Sequence, residues 1–486
     1  MNKILIAVLF LMTLFTANLF ASTTTKLETS TSSIEGGWSG ELDLGVMKIT
    51  LILHVHQNEI GDLNATVDCP EQQLKDFPVD SISFKEEILK FEIKTLMASF
   101  EGQLNTEVNE ISGRFVQGGM SLPLIFKKGI ASVETWKRPQ EPMPPYPYLE
   151  EEVSYENKAA GVTLAGALTM PKTNGPFPAV ILITGSGAHD RNETLLGHKP
   201  FLVLADYLTR QGIAVLRVDD RGVAKSTGDF HAATDADFAT DVLAGLEYLK
   251  TRKEINSSQI GLIGHSCGAL IAPMVAAQSP DVAFVVMLAG PGMNGEKIIY
   301  EQGALIARAE GASEEAITKE RQIQEQIFAI LKKESNLEKA DAQLRAMMTK
   351  QYNEIPSDQK DVNDQKIDAI VKKVNTPWFR HFITFEPVSA LRQVKVPVLV
   401  LNGELDLQVP PKQNLPLIEK ALVEADNKDY TIIELPKQNH LFQTSQTGAL
   451  SEYAKIEETI SPSTLKIISE WIRERTMKSS TEATHE

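Results

Sequence analysis

The chain is poor in cysteine, in basic charge and in long apolar stretches, and each shortage excludes something. Two cysteines, Cys69 and Cys267, in 486 residues cannot build a disulfide framework or a cysteine-only zinc site. Lysine and arginine total 48 against 64 aspartates and glutamates, a net charge of −16, and no basic run offsets it. Such a surface repels phosphate backbones, so nucleic acid is not an expected partner. No segment beyond the N-terminus is apolar over the roughly 20 residues that cross a bilayer, so no membrane span is expected in the mature protein. Apolar residues at 42% and charged residues at 23% are nonetheless ordinary for a globular chain, which excludes a disordered or collagen-like one. The length suggests about three structural units.

Residues 1–21 read as a secretory signal peptide. Lys3 supplies the positive start, Ile4–Phe15 the apolar run, and Ala21 precedes a Ser/Thr-rich stretch, which puts the cut between Ala21 and Ser22. The run is too short for a membrane anchor, and no cysteine follows it to carry a lipid. An exported protein, periplasmic or secreted, is expected.

From Gly36 to Lys128 the apolar residues alternate, as in Leu89, Phe91 and Ile93, between frequent turn signals. That predicts a small antiparallel β domain over 22–137, a barrel or a sandwich. Pro139, Pro142, Pro144, Pro145 and Pro147 make 138–150 a stiff, extended linker. Strand and helix signals then alternate, predicting parallel crossover units over 151–291. Gly212 is expected just past a helix end and Ser461 at the cap of a helix starting at Pro462. Between them, 292–385 is rich in Glu, Lys, Gln and Ala with helical spacing, and reads as a cap inserted over the sheet. The core resumes over 386–476, and 477–486 is a tail.

The chemistry centres on Gly264-His265-Ser266-Cys267-Gly268, a G-x-S-x-G pattern between a predicted strand and a predicted helix. Ser266 there projects from a sharp turn at a helix N-terminus, where the dipole favours a developing anion. A serine needs a base, and the base needs a carboxylate. Asn402-Gly403-Glu404-Leu405-Asp406 and Pro436-Lys437-Gln438-Asn439-His440 both follow predicted strands, where open α/β sheets place their sites. Asp406 is preferred to Glu404 because it occupies the later turn position, facing the histidine loop.

With these residues the chain resembles the α/β-hydrolase superfamily, specifically exported two-domain bacterial carboxylesterases, which are similar to serine aminopeptidase-like hydrolases. The resemblance covers roughly Val153 to Arg475. It rests on G-H-S-C-G, G-E-L-D-L-Q-V-P and N-H-L-F-Q, with Thr184-Gly185-Ser186-Gly187, Asp190-Arg191 and Asp219-Asp220-Arg221-Gly222 in support. Gly37-Trp38-Ser39-Gly40 resembles the β domain preceding such esterases. The resemblance implies an α/β-hydrolase fold: a mostly parallel sheet covered by helices, with a helical cap insertion, behind a small all-β domain. It also implies an oxyanion hole built from the backbone N–H groups of Cys267 and Ser186. Cys267 departs from many relatives, and its thiol is a rival nucleophile to Ser266.

Other residues have plainer readings. His54 and His56 share a strand face without a third ligand and read as a surface pair. His265 reads as a packing and hydrogen-bonding neighbour of the turn, and Asp219-Asp220-Arg221 as an ion-paired loop element. Trp378, Phe379 and Phe382 either line an acyl pocket or dock the insertion. The expected function is a serine hydrolase that cleaves small-molecule carboxylic esters through an acyl-enzyme on Ser266, with Asp406 and His440, and without metal or organic cofactor. An aminopeptidase, amidase or thioesterase would use the same triad. An envelope binding protein with a relict core is the non-enzyme alternative.

Overall fold

The computed structural model describes residues 34–43, 48–58, 61–70, 74–96, 98–117, 120–130, 136–353 and 364–477. The expected signal peptide over 1–21 and, Met477 apart, the expected tail over 477–486 lie outside them. The described residues form two compact units, one of 34–137 with 329–375, the other of 138–328 with 376–477.

In the first unit nine strands form one antiparallel sheet: β1 (Gly36–Asp43), β2 (Lys48–Gln57), β3 (Leu63–Cys69), β4 (Leu74–Pro78), β5 (Ser81–Lys85), β6 (Ile88–Ile93), β7 (Ala98–Asn105), β8 (Glu110–Gln117) and β9 (Met120–Lys128). Their order is β4-β3-β2-β1-β9-β8-β7-β6-β5, and the sheet curls until β3 approaches β5. Leu89, Phe91 and Ile93 point inward while Lys90 and Glu92 face out, the alternation of a half-buried strand. Phe91, Phe100 and Phe126 form the centre, with ring centroids 5.1 to 6.4 Å apart. Trp38 lies beside them and donates its indole N–H to the Ile34 carbonyl at 2.8 Å. One expectation is corrected here. His54 is not a bare surface histidine, because Asp68 on β3 sits 2.8 Å from its Nε2. Strand pairing supplied a carboxylate that sequence spacing could not reveal. Among the described residues no group of three metal-binding side chains occurs.

The second unit has an eight-stranded sheet, β10-β11-β13-β12-β14-β15-β16-β17. Its strands are β10 (Leu149–Asn157), β11 (Val162–Met170), β12 (Phe177–Ile183), β13 (Ala214–Val218), β14 (Ile255–His265), β15 (Phe284–Leu288), β16 (Val398–Gly403) and β17 (Tyr430–Leu435). β10 and β11 are antiparallel, and everything from β13 to β17 is parallel. Every residue of β12 and β15 is buried, as parallel strands covered on both faces must be. One face carries α1 (Pro200–Arg210), and the other α2 (Asp235–Lys250) and α3 (Gly268–Gln278). Gly212 ends α1 at φ +91°, a conformation that suits glycine.

The helices of the predicted insertion divide between the units. α4 (Gly295–Ala309), most of α5 (Glu314–Lys333) and α6 (Pro377–Thr384) belong to the sheet unit, whereas helices Leu337–Asn353 and Asp364–Val374 belong to the β unit, the latter packing on β9. α7 (Pro411–Glu424) and α8 (Pro462–Thr476) complete the sheet unit. Ser461 takes the N-cap position of α8, its carbonyl accepting the Thr464 and Leu465 N–H groups at 3.0 and 3.2 Å, but its side chain makes no capping bond and its hydroxyl meets that of Ser463 at 2.8 Å. The proline-rich linker is not a free spacer either. Arg138 donates to the carbonyls of Gly197 and Ala454 at 3.0 and 2.7 Å, and Gln140 bonds the backbone of Thr459 and Ile460. No described helix is long and apolar enough to cross a membrane.

Candidate active site

Ser266 stands between β14 and α3 with φ +52°. A non-glycine residue held there carries roughly 1–3 kcal/mol of strain, so its surroundings must impose the turn. Its N–H donates to the Leu288 carbonyl on β15 at 2.8 Å. The flanking glycines are required by space: a Cβ on Gly264 would lie 2.1 Å from the Gly268 carbonyl oxygen, and one on Gly268 2.1 Å from that of Ile183. Neither clash can be relieved by turning a side chain. Gly268→Ala is therefore expected to lower stability by at least about 3 kcal/mol and to end labelling of Ser266. Denaturation and active-site titration on one preparation check it.

His440 sits on the loop after β17, buried, with Nδ1 2.8 Å from Asp406 Oδ2. Asp406 is itself buried and fixed from four directions. Its Oδ1 accepts the N–H groups of Gln408 and Val409, both at 2.8 Å, and its Oδ2 accepts Asn402 Nδ2 at 3.1 Å beside the histidine. Glu404 is exposed and accepts only the Lys437 N–H at 3.0 Å. It joins the two loops from outside. An Asp406 carboxylate on Nδ1–H leaves the lone pair of His440 on Nε2, the tautomer a general base needs. No hydrogen bond joins Ser266 Oγ to that Nε2 here, a separation common in hydrolase sites before substrate closes them. The His440 N–H also meets the Tyr453 hydroxyl at 3.3 Å.

On the other side of Ser266 lies the loop after β12. The Gly185 N–H is engaged by Glu193 Oε1 at 2.7 Å, and the Ser186 carbonyl accepts His189 Nε2 at 3.0 Å. Cys267 caps the start of α3, where amides have no intrahelical acceptor. Burial pushes its thiol well above the usual range, with Asp235 adding to the effect. A thiol held protonated is a poor nucleophile. A cavity of about 60 Å³ opens beside this loop, lined in part by Ser186, Cys267, Asp235, Phe230, Phe238 and Trp378. Trp378 faces the cavity, held by Asp235 through its indole N–H at 3.0 Å, whereas Phe379 packs on Phe328, centroids 6.0 Å apart. Phe382 stacks on Trp378 at 5.2 Å and meets Gly295 of α4, so the three aromatics split between lining and docking. In the aspartate run, Asp219 pairs with Arg191 at 2.8 Å and Arg221 with Asp241 at 2.7 Å. Among the described residues Asp220 pairs with no cation. Burial, partly offset by His189 N–H and Thr184, pushes it up to about 8.

Sequence reasoning missed three groups. Asn402 was visible in N-G-E-L-D yet carried no role until the loop folded back on Asp406. Tyr453 had no motif at all. Glu193 lies two residues beyond Asp190-Arg191, and only its φ of +51° and its partners single it out.

Comparison with known proteins gives a family and several similar chains. Residues 160–425 match the X-Pro dipeptidyl-peptidase (S15) family, a span that includes Ser266 and Asp406 and stops short of His440. Esterase EstD of Thermotoga maritima is 29% identical over 266 residues, 54% of this chain and 55% of that protein. The chain thus spans about half the length of that relative. Among solved structures, the α/β hydrolase GrgF of a Penicillium species is similar at 16% identity and TM-score 0.43, covering 68% of this chain and all of that one. The Pyrococcus furiosus esterase PF2001 is similar at 16% identity and TM-score 0.41, over 72% of this chain and all of its own. With the mostly parallel sheet, the serine turn and the family match over more than half its length, the chain belongs to the X-Pro dipeptidyl-peptidase (S15) family of the α/β-hydrolase superfamily.

Proposed function

We propose that the protein is a serine hydrolase that cleaves carboxylic esters through an acyl-enzyme on Ser266. The carrying observation is the strained Ser266 turn, at φ +52°, in a unit that also holds the buried His440–Asp406 pair at 2.8 Å. In this reading His440 Nε2 takes the Ser266 proton as Oγ attacks the carbonyl carbon. The N–H groups of Cys267 and Ser186 receive the oxyanion; Gly185 is unsuited because Glu193 already holds its N–H. His440 then protonates the departing alcohol. Water, deprotonated by the same nitrogen, releases the acid. The reading extends to export, on the strength of Lys3 and the Ile4–Phe15 run.

A dipeptidyl-peptidase must also seize a substrate ammonium, and the cavity carboxylates are poorly disposed for that. Asp219 and Asp241 are paired with arginines, and Asp235 already accepts from Trp378 and His381 at 3.0 and 3.1 Å. Asp220, pushed up to about 8, is largely uncharged at neutral pH. These observations favour esters over peptide N-termini. The small cavity of about 60 Å³ beside Ser186 and Cys267 suits a short acyl chain. The expected profile over p-nitrophenyl esters is highest from acetyl to butyryl and low at octanoyl, with no release from X-Pro anilides. Trp378→Leu should raise kcat/KM for the longer esters about tenfold, the worth of a methylene or two of pocket space. Anilide cleavage outpacing ester cleavage would reverse the reading.

A further inference from the structure

His265 precedes the reactive serine, and both of its ring nitrogens are occupied. Nδ1 lies 2.9 Å from Glu193 Oε1, and Nε2 lies 3.1 Å from the carbonyl oxygen of His440. The same Glu193 oxygen accepts the Gly185 N–H at 2.7 Å. One unbroken chain of hydrogen bonds therefore runs from the oxyanion loop through Glu193 and His265 to the loop of the general base, passing directly behind Ser266. A carbonyl oxygen can only accept, and so can a carboxylate. A neutral imidazole has one N–H and cannot serve both; an imidazolium can. Both side chains are almost wholly buried, at 8% and 2% exposure.

We propose that His265 is a positioning residue that acts as an imidazolium, and that its paired ties to Glu193 and to His440 hold the oxyanion loop and the general base in register around Ser266. The groups facing this pair come from every neighbouring loop. His189 and Asp220 act on Glu193 from its own loop and from the loop after β13, Asp406 acts on His265 from the loop after β16, and the His440 ring lies 4.9 Å away, centroid to centroid. Burial pulls His265 toward the neutral form, but the charge and hydrogen bond of Glu193, with the His440 carbonyl and Asp406, outweigh it and leave the ring above its ordinary value. Burial likewise pushes Glu193 up, and His265, His189 and the Gly185 N–H together bring it below its ordinary value. The sign follows. The doubly tied state is present at low and neutral pH and is lost as pH rises through the raised value of His265. The ring then gives up one N–H and with it one tie.

This inference rests on Ser266 and His440 being the reacting pair, so its test separates the two. Spectra of the full chain labelled with ¹⁵N-histidine should show His265, assigned by its loss in His265→Gln, with both ring nitrogens protonated at neutral pH. A neutral ring overturns the proposal without touching the reading of Ser266. In kinetics, kcat should fall along an alkaline limb. Glu193→Gln removes the counter-charge and should move that limb down by about one pH unit or more. Its kcat per phosphonate-titrated serine should drop roughly 10- to 100-fold, as loosened alignment does, while KM changes by no more than about threefold. His265→Gln keeps an N–H toward His440 but cannot titrate, so the limb should vanish, and this variant decides the matter if Glu193→Gln folds poorly. A limb that stays in place in either variant, with kcat per titrated serine unchanged, makes the pair a packing element only. Failure of the phosphonate to label Ser266 in the parent protein would instead defeat the catalytic reading itself.

Discussion

Ser266→Ala is expected to remove all labelling by a serine-directed phosphonate and to lower kcat by about 10⁴- to 10⁶-fold. Cys267, the nearest rival, has its thiol buried and driven well above the usual range, first by burial and then by Asp235. It also opens α3 rather than occupying the apex of the turn. A residual rate is expected, because the two oxyanion donors and substrate binding act without the serine. Mass spectrometry of the labelled parent should locate a single adduct on the peptide containing Ser266. An adduct on Cys267, or labelling that survives Ser266→Ala, defeats the assignment. Folding should be little affected, since alanine at φ +52° meets the same strain as serine and removes a hydroxyl that bonds no described residue.

The second large effect separates two acids that lie two positions apart. Asp406→Asn should lower kcat by about 10⁴-fold, because an amide in that place turns His440 to the wrong tautomer. The amide oxygen can still accept the Gln408 and Val409 N–H groups, both at 2.8 Å. Its NH₂ then faces Nδ1, which must give up its proton and move it to Nε2. Glu404→Gln should change kcat by less than about threefold, since Glu404 is exposed and an amide oxygen can still accept the Lys437 N–H. Steady-state kinetics on the two variants, with circular dichroism to check folding, gives the comparison directly. Equal losses would mean that the loop, rather than Asp406, is what His440 depends on.

Much of the candidate site was legible because it is local. The glycines of G-H-S-C-G mark a turn so tight that a Cβ at either would strike backbone at 2.1 Å. That constraint is written in adjacent residues. The same holds for the apolar runs of β12, β15 and β16, where burial on both faces leaves no polar alternation. Ser461 shows the limit of such reasoning. The residue takes the cap position expected of it, but its hydroxyl bonds the neighbouring Ser463 hydroxyl rather than the helix N–H groups.

What the sequence determined by itself, then, was the fold class, the order of strands and helices around the site, and the serine turn with a candidate acid and base. The rest was decided in three dimensions. Turn position favoured Asp406 over Glu404, but only the fold encloses Asp406 with four donors and leaves Glu404 to solvent. Periodicity could make helices of 292–385 but not say that part of them would join the β unit, because a helical stripe specifies a buried face and not what covers it. Glu193 and His265 are 72 residues apart, and His265 and His440 are 175 apart. Neither pairing follows from any spacing. Each exists because parallel strands bring their carboxyl-end loops to one edge, where a buried charge must find its partner in whatever chain arrives beside it.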